Sequence, residues 1–230
     1  IISESFKEFD IEFTTDYFKK LKAKVTKNKK KKKKNVDLVN YDFRELVVKE
    51  DGGAYLVAEQ YYVTTYTTTD SNGNTTTHYK YHYNNIAVVS IDPEGIIEWE
   101  RKIPKRQVST DDGGFYSSFS HHLRDDKLYF IYNENSKNLE IKNGKIRNSY
   151  GYAFSPKKSI VVAYSFDSEG NKEIVELFNK KDSKTLVRPK TCFQLSEDEH
   201  LIFGQKGKKQ KLQDFFSNNK FTISSQRSIA

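Results

Sequence analysis

The sequence predicts a mainly β protein built from repeated antiparallel strand-turn-strand units. Three observations carry this. Short apolar runs rich in β-branched and aromatic residues recur along the chain, as in Ile86-Ala87-Val88-Val89-Ser90-Ile91 and Ser159-Ile160-Val161-Val162-Ala163-Tyr164-Ser165-Phe166. Turn signals of the form Asp-x-x-Gly or Asp-Gly-Gly separate them. When the turns are superimposed, Ser90, Asp92, Glu94, Gly95 and Glu98 return as Ser165, Asp167, Glu169, Gly170 and Glu173, an internal repeat.

The elements follow in order. Phe9, Ile11 and Phe13 alternate with Asp10 and Glu12 and predict a strand. Thr15 can cap a short helix with Phe18, Leu21 and Val25 at helical spacing. The lysine run from Lys27 to Lys34 reads as a mobile, solvated loop over residues 26–36. Leu46-Val47-Val48 leads through Asp51-Gly52-Gly53 into the strand Ala54-Tyr55-Leu56-Val57-Ala58. Residues 61–83 form a long Tyr/Thr hairpin arm around Asp70-Ser71-Asn72-Gly73-Asn74. There Asn-Gly predicts a type I′ turn. Tyr62, Thr64 and Tyr66 share one face going out, and Tyr79, Tyr81 and Tyr83 share one coming back. The turn Asp92-Pro93-Glu94-Gly95 then leads into Ile96-Ile97-Glu98-Trp99. Lys127-Leu128-Tyr129-Phe130-Ile131-Tyr132 repeats the strand at Ala54, and His200-Leu201-Ile202-Phe203 begins a third copy. The whole chain, 1–230, reads as one β-repeat domain with a loose tail over 214–230.

Composition narrows the function classes. Seven lysines from Lys27 to Lys34 account for most of the net charge of +8, so the folded part is close to neutral and nucleic acid is not the expected partner. Cys192 is the single cysteine, which excludes an intrachain disulfide and a cysteine-based zinc site. No apolar run is long enough for a transmembrane helix. The chain starts at Ile1 and contains no Met, which reads as a mature segment or a piece of a longer product.

The pattern Asp51-Gly52-Gly53, an apolar strand, then Ile91-Asp92-x-x-Gly95-x-x-x-Trp99 resembles the blades of bacterial β-propellers with PQQ-type repeats. It is most similar to uncharacterised envelope proteins of Bacteroidetes-like bacteria. The resemblance spans roughly residues 46–204. It implies part of a propeller in which Asp-x-x-Gly joins two strands and Trp99 packs between blades, with an open twisted sheet stack as the alternative, and it implies a cell-envelope or secreted location. Ile174 stands in the second repeat where Trp99 stands in the first.

Catalytic signatures are missing from the sequence. It has no nucleophile elbow and no phosphate loop or dinucleotide fingerprint. Asp70-Ser71-Asn72-Gly73-Asn74 mimics half a calcium loop, but its glycine is misplaced and Tyr81 stands where the closing Glu belongs. His78 and His82 fall on one strand face about 13 Å apart, too far to share a metal. The carboxylate pairs Asp111-Asp112 and Asp125-Asp126, and the run Glu197-Asp198-Glu199, sit at turns or strand entries. No metal or cofactor is expected.

Two segments are the candidate ligand-binding loops. One runs Arg101-Lys102-Ile103-Pro104-Lys105-Arg106-Gln107 and the other Arg188-Pro189-Lys190-Thr191-Cys192-Phe193-Gln194. Each carries Pro-Lys flanked by Arg and followed by Gln. On one rim, Arg101, Lys105, Arg106, Gln107, Arg188, Lys190 and Gln194 would hold a carboxylate or sulfate. The alternative is that Pro marks a strand exit and the charges solubilise it. The leading expectation is a non-enzymatic binding or scaffold module with a protein or glycan partner. Two alternatives stand beside it: a carbohydrate-active or other hydrolase using acidic loop residues, and a polyanion or membrane-surface binder using the lysine run.

Overall fold

In a computed structural model, residues 40–139, 141–142, 145–146, 158–179, 185–215 and 224–227 are described. The expected strand at Phe9, the helix at Thr15 and the lysine loop lie outside the described residues.

Three antiparallel meanders follow one another along the chain. The first sheet holds β1 (Tyr41–Val48), β2 (Ala54–Thr69), β3 (Thr75–Ile91) and β4 (Ile97–Ile103) in that order, with β5 (Gln107–Thr110) also paired to β3. Next come β6 (Ser120–Arg124) and β7 (Lys127–Asn135), then a small hairpin of β8 (Ile141–Lys142) and β9 (Lys145–Ile146). β10 (Ser159–Phe166) and β11 (Lys172–Asn179) complete the second sheet, ordered β11-β10-β7-β6. The third comprises β12 (Leu186–Val187), β13 (Phe193–Gln194), β14 (His200–Lys206), β15 (Lys209–Phe215) and β16 (Ser224–Arg227). Its order is β12-β14-β15-β16, with β13 also on β14. β16 supplies a strand within the segment expected to be a loose tail.

The repeat lies in the phase the sequence implied. β2, β7 and β14 are the second strands of their meanders, and β3–β4 and β10–β11 are matching hairpins. One loop geometry closes four hairpins, at Lys49, Asp70, Asp92 and Asp167. In each, the first residue's N–H donates to the fifth residue's carbonyl, and the fourth residue's N–H donates back to the first. That fourth residue is Gly52, Gly73, Gly95 or Gly170, at φ of +90°, +83°, +85° and +76°. This is a type I turn followed by a glycine bulge. The type I′ turn expected at Asn72-Gly73 is therefore corrected: of the two, only Gly73 has positive φ. The Asp70 side chain decides this, because its Oδ1 accepts the N–H groups of Asn72 and Asn74, both at 2.9 Å. Asp92 and Asp167 make the equivalent bond to Ile96 and Asn171, at 2.7 and 2.8 Å. A two-residue loop with both φ positive occurs instead at Asp125-Asp126 (+48° and +53°), between the paired Arg124 and Lys127.

The recurring glutamates Glu98 and Glu173 each bind a lysine. Glu98 Oε2 receives Lys49 Nζ at 2.7 Å and the Ser90 hydroxyl at 2.6 Å. Its counterpart Glu173 receives Lys127 Nζ at 2.5 Å.

The chain divides into two compact units, Ile1–Tyr61 with Asn85–Pro104, and Tyr62–Asn84 with Lys105–Ala230. In the first, Val47, Tyr55, Val57, Ile86, Val88, Trp99 and Ile103 are buried. Trp99 packs on Tyr55 with ring centroids 5.6 Å apart. In the second, Ile131, Val161, Ala163 and Phe178 of the second sheet cluster with Val187, Cys192 and Ile202 around the third. Every residue of β10 is buried, which explains why it reads as a continuous apolar run rather than an alternation. Cys192 belongs to this cluster, and burial pushes its thiol up to about 11, as befits a small core residue.

Candidate functional site

Arg101 belongs to the first unit, where its guanidinium lies 5.6 Å from the Trp99 ring centre and Nη1 donates to Glu100 O at 2.9 Å. The other six sequence-predicted site residues fall in the second unit. Three of them, Lys105, Gln107 and Lys190, meet around Tyr83 of β3. Lys105 is 1 % exposed, and its Nζ donates to Tyr83 O at 3.1 Å and to Gln107 Oε1 at 2.9 Å. Gln107 also accepts Ser118 N–H at 2.7 Å and donates to Asn133 O at 2.9 Å. Lys190 Nζ donates to the Tyr83 hydroxyl at 3.1 Å and lies 4.7 Å from its ring centre. The ring's far side packs on Gly114, held at φ +66°.

Lys105 and Lys190, one from each Pro-Lys segment, both reach Tyr83, and Lys105 and Gln107 are closed off from solvent. Gln194 makes a two-bond clasp on Leu123, accepting its N–H at 2.9 Å and donating to its carbonyl at 2.8 Å. Arg188 stacks on Phe115, 3.6 Å from the ring centre, and Nη1 donates to Gln205 Oε1 at 3.1 Å. Arg106 is exposed, and its charge acts on His82.

The arm presents a more regular surface, and from Tyr62 onward it lies in the second unit. The pairing of Asp70 with Asn74 at its tip sets the register of β2 on β3. Tyr62 then sits across from His82 and Tyr66 across from His78. Both ring pairs stack, at 4.4 Å and 13°, and at 4.9 Å and 22°. Thr64 Oγ1 bonds His82 Nε2 at 3.0 Å, and Thr68 Oγ1 bonds His78 Nε2 at 2.8 Å. The same Tyr-His-Thr rung therefore occurs twice, four residues apart, about 13–14 Å along the strand. Lys80 Nζ stands 4.8 Å from the Tyr66 ring centre. Residues 63–69 are all exposed, including Val63 at 41 % and Tyr66 at 40 %.

Sequence reasoning missed one constellation here. The Asp111 carboxylate takes His78 Nδ1 at 2.6 Å and Tyr79 N–H at 2.8 Å. These bonds, His78 first, hold its pKa below the usual carboxylate range. Thr68, His78 and Asp111 therefore form a hydroxyl-imidazole-carboxylate relay, the arrangement that activates a nucleophile. Its parts are 10 and 33 residues apart in sequence, so no local motif announces it. The available signal was the tetrad pattern Tyr62-x-Thr64, Tyr66-x-Thr68, mirrored by His78 and His82. His78 and Asp111 side chains are 24 % and 44 % exposed, so water reaches the relay.

Buried ionisable groups lie elsewhere in the second unit. His122 and His200 are fully buried, with rings 5.4 Å apart and nearly perpendicular. His122 Nε2 donates to Glu197 O at 2.8 Å, and His200 Nε2 shares a 3.1 Å hydrogen bond with the Ser120 hydroxyl. Burial lowers them from 6.5 to about 4 and about 3. Burial pushes Glu134 up to about 7 against hydrogen bonds from Asn135 N–H and Asn138 Nδ2. Among the described residues no group of three or more His, Cys, Asp or Glu is arranged to hold a metal, and no helix is long and apolar enough to cross a membrane.

Compared with known proteins, the chain matches no family model, no curated protein and no solved structure.

Proposed function

We propose that this chain is a non-enzymatic binding module whose meanders act as a scaffold for the aromatic arm. The observation that carries the reading is the pair of Tyr-His-Thr rungs at fixed spacing, with Thr64, Tyr66 and Thr68 exposed and Tyr62, His78 and His82 half-buried. Tyrosine supplies rigid contact area with a polar tip. Here each ring is already stacked and each histidine already hydrogen-bonded, so little side-chain freedom is lost when a partner lands. The partner class is an extended protein segment or a glycan. The three successive meanders support membership in a propeller, with a place in a bacterial envelope or secreted protein.

The test is a nuclear magnetic resonance titration with a panel of soluble polysaccharides and extended peptides. Binding should shift signals of Tyr62, Tyr66, His78 and His82 and be lost in Tyr62→Ala. Shifts confined to other surfaces would overturn the assignment of the arm.

The relay favours a second reading, a hydrolase in which Thr68 attacks an ester carbonyl and passes its proton to His78, which returns it to the departing alkoxide before water releases the acyl group from Thr68. A relay open to water is a weak catalyst, since activation depends on a dry, preorganised site. Turnover of p-nitrophenyl acetate that disappears in both Thr68→Val and His78→Gln would move the assignment to this reading.

A further inference from the structure

We propose that the outer half of β2 is a strand-addition edge, and that its occupant is the same strand of a second copy of this chain. The inference rests on the arm being an interaction element, but it uses the arm's backbone edge rather than its ringed face.

β1 pairs with β2 only from Ala54 to Gln60. Among the described residues the last bond on that side is Tyr61 N–H to Asn40 O at 2.9 Å. Asn40 is left-handed at φ +62°. Backbone groups of alternate residues point to the same edge. The N–H and C=O groups of Val63, Thr65, Thr67 and Thr69 therefore point the way Tyr61 does, away from β3. Among the described residues no strand pairs with this edge.

Exposed edges usually carry a charge, a proline or a bulge that discourages further pairing. This one carries none of them. Gln60 to Thr69 contains no charged residue and no proline, in a chain that is 30 % charged. Threonine, tyrosine and valine are strong strand formers.

The choice of a second copy follows from self-complementarity. Antiparallel pairing of residues 63–69 with themselves places a two-fold axis at Tyr66. Val63 then meets Thr69 and Thr65 meets Thr67 on one face. Thr64 meets Thr68 and Tyr66 meets Tyr66 on the other. Threonine-threonine and aromatic pairs are favourable cross-strand neighbours. No like charges oppose each other, the whole exposed segment is used, and the contact is isologous, so it closes as a dimer.

Sedimentation of the intact chain from 10 µM to 1 mM tests this. The expected result is a reversible monomer-dimer equilibrium that Thr65→Pro and Thr65→Lys each weaken at least tenfold. The proline removes one open-edge N–H and leaves the β3 side alone. The lysine brings like charges together across the axis. Amide spectra of both variants should retain the His78 and His82 signals, which separates loss of pairing from loss of the arm. A monomer at 1 mM would overturn the proposal, as would a dimer unchanged by both variants. Protected amides at Val63, Thr65, Thr67 and Thr69 in a monomer would show that another segment of the same chain takes the edge. Failure here leaves the ringed face intact, and Tyr62→Ala tests that face without touching the edge.

Discussion

Acidification should destabilise this protein between pH 6.5 and 4.5, chiefly through three buried groups. His122 and His200 fall from 6.5 to about 4 and about 3 on folding. Their stabilisation is present above the unfolded value and is lost as pH falls through the folded ones. Glu134 is raised from 4.5 to about 7. Its contribution has the opposite sense, present below pH 4.5 and lost as pH rises through 7. Near pH 5.5 the unfolded chain binds two more protons at the histidines and one fewer at the glutamate. The net uptake of one proton gives a slope of about 1.4 kcal/mol per pH unit. The groups facing the histidines are His121, Arg124 and Asp198, already included in those shifts. His82, lowered first by burial and then by Arg106 and Lys80, adds in the same direction in every variant. Relative to wild type, Glu134→Gln should steepen the slope by about 1.4 kcal/mol per pH unit, and His200→Gln should flatten it by about the same amount. Urea unfolding at half-unit pH intervals measures all three. A wild-type slope that is flat or negative over this window, or a Glu134→Gln slope no steeper than wild type, would refute the reasoning.

Other substitutions test the packing. Gly114→Ala puts a methyl group into the Tyr83 ring at a left-handed position and should cost about 2–4 kcal/mol in denaturant unfolding. Trp99→Ala should cost about 3–5 kcal/mol, and native Trp99 emission should be blue-shifted and resist acrylamide, since the ring is buried against Tyr55. Asp126→Gly relieves a left-handed residue in the Asp125-Asp126 turn and should stabilise by about 1 kcal/mol. An unchanged melting temperature there would show that the turn is not strained.

The strands and the repeat were legible because alternation and Asp-x-x-Gly are local signals. Asp92 and Asp167 occupy equivalent turns since each aspartate needs only its own next four residues. The turn at Asn72-Gly73 misled for the same reason. Asn-Gly favours one loop, but Asp70 two residues earlier captures the backbone N–H groups and selects another. Lys105 was read as a solvent-facing donor, as lysines usually are. Its burial comes from Tyr83 and Gln107, and from Tyr132, whose ring centre lies 6.0 Å away. The His122–His200 pair and the Thr68-His78-Asp111 relay join residues far apart in sequence. Periodicity carries no information about such meetings.

The arm is a modular ruler. Its outgoing strand is written in tetrads, Tyr62-Val63-Thr64-Thr65 and Tyr66-Thr67-Thr68-Thr69, and its return strand ends each tetrad with His78 or His82. The side-chain period of a strand is two. Removing or duplicating one tetrad on each strand therefore keeps every remaining residue on its own face and leaves the Asp70 turn intact. Reach changes in steps of about 13–14 Å, while each rung keeps its Tyr-His-Thr set. Length in this element is a quantity that insertion and deletion can set without redesigning the fold beneath it.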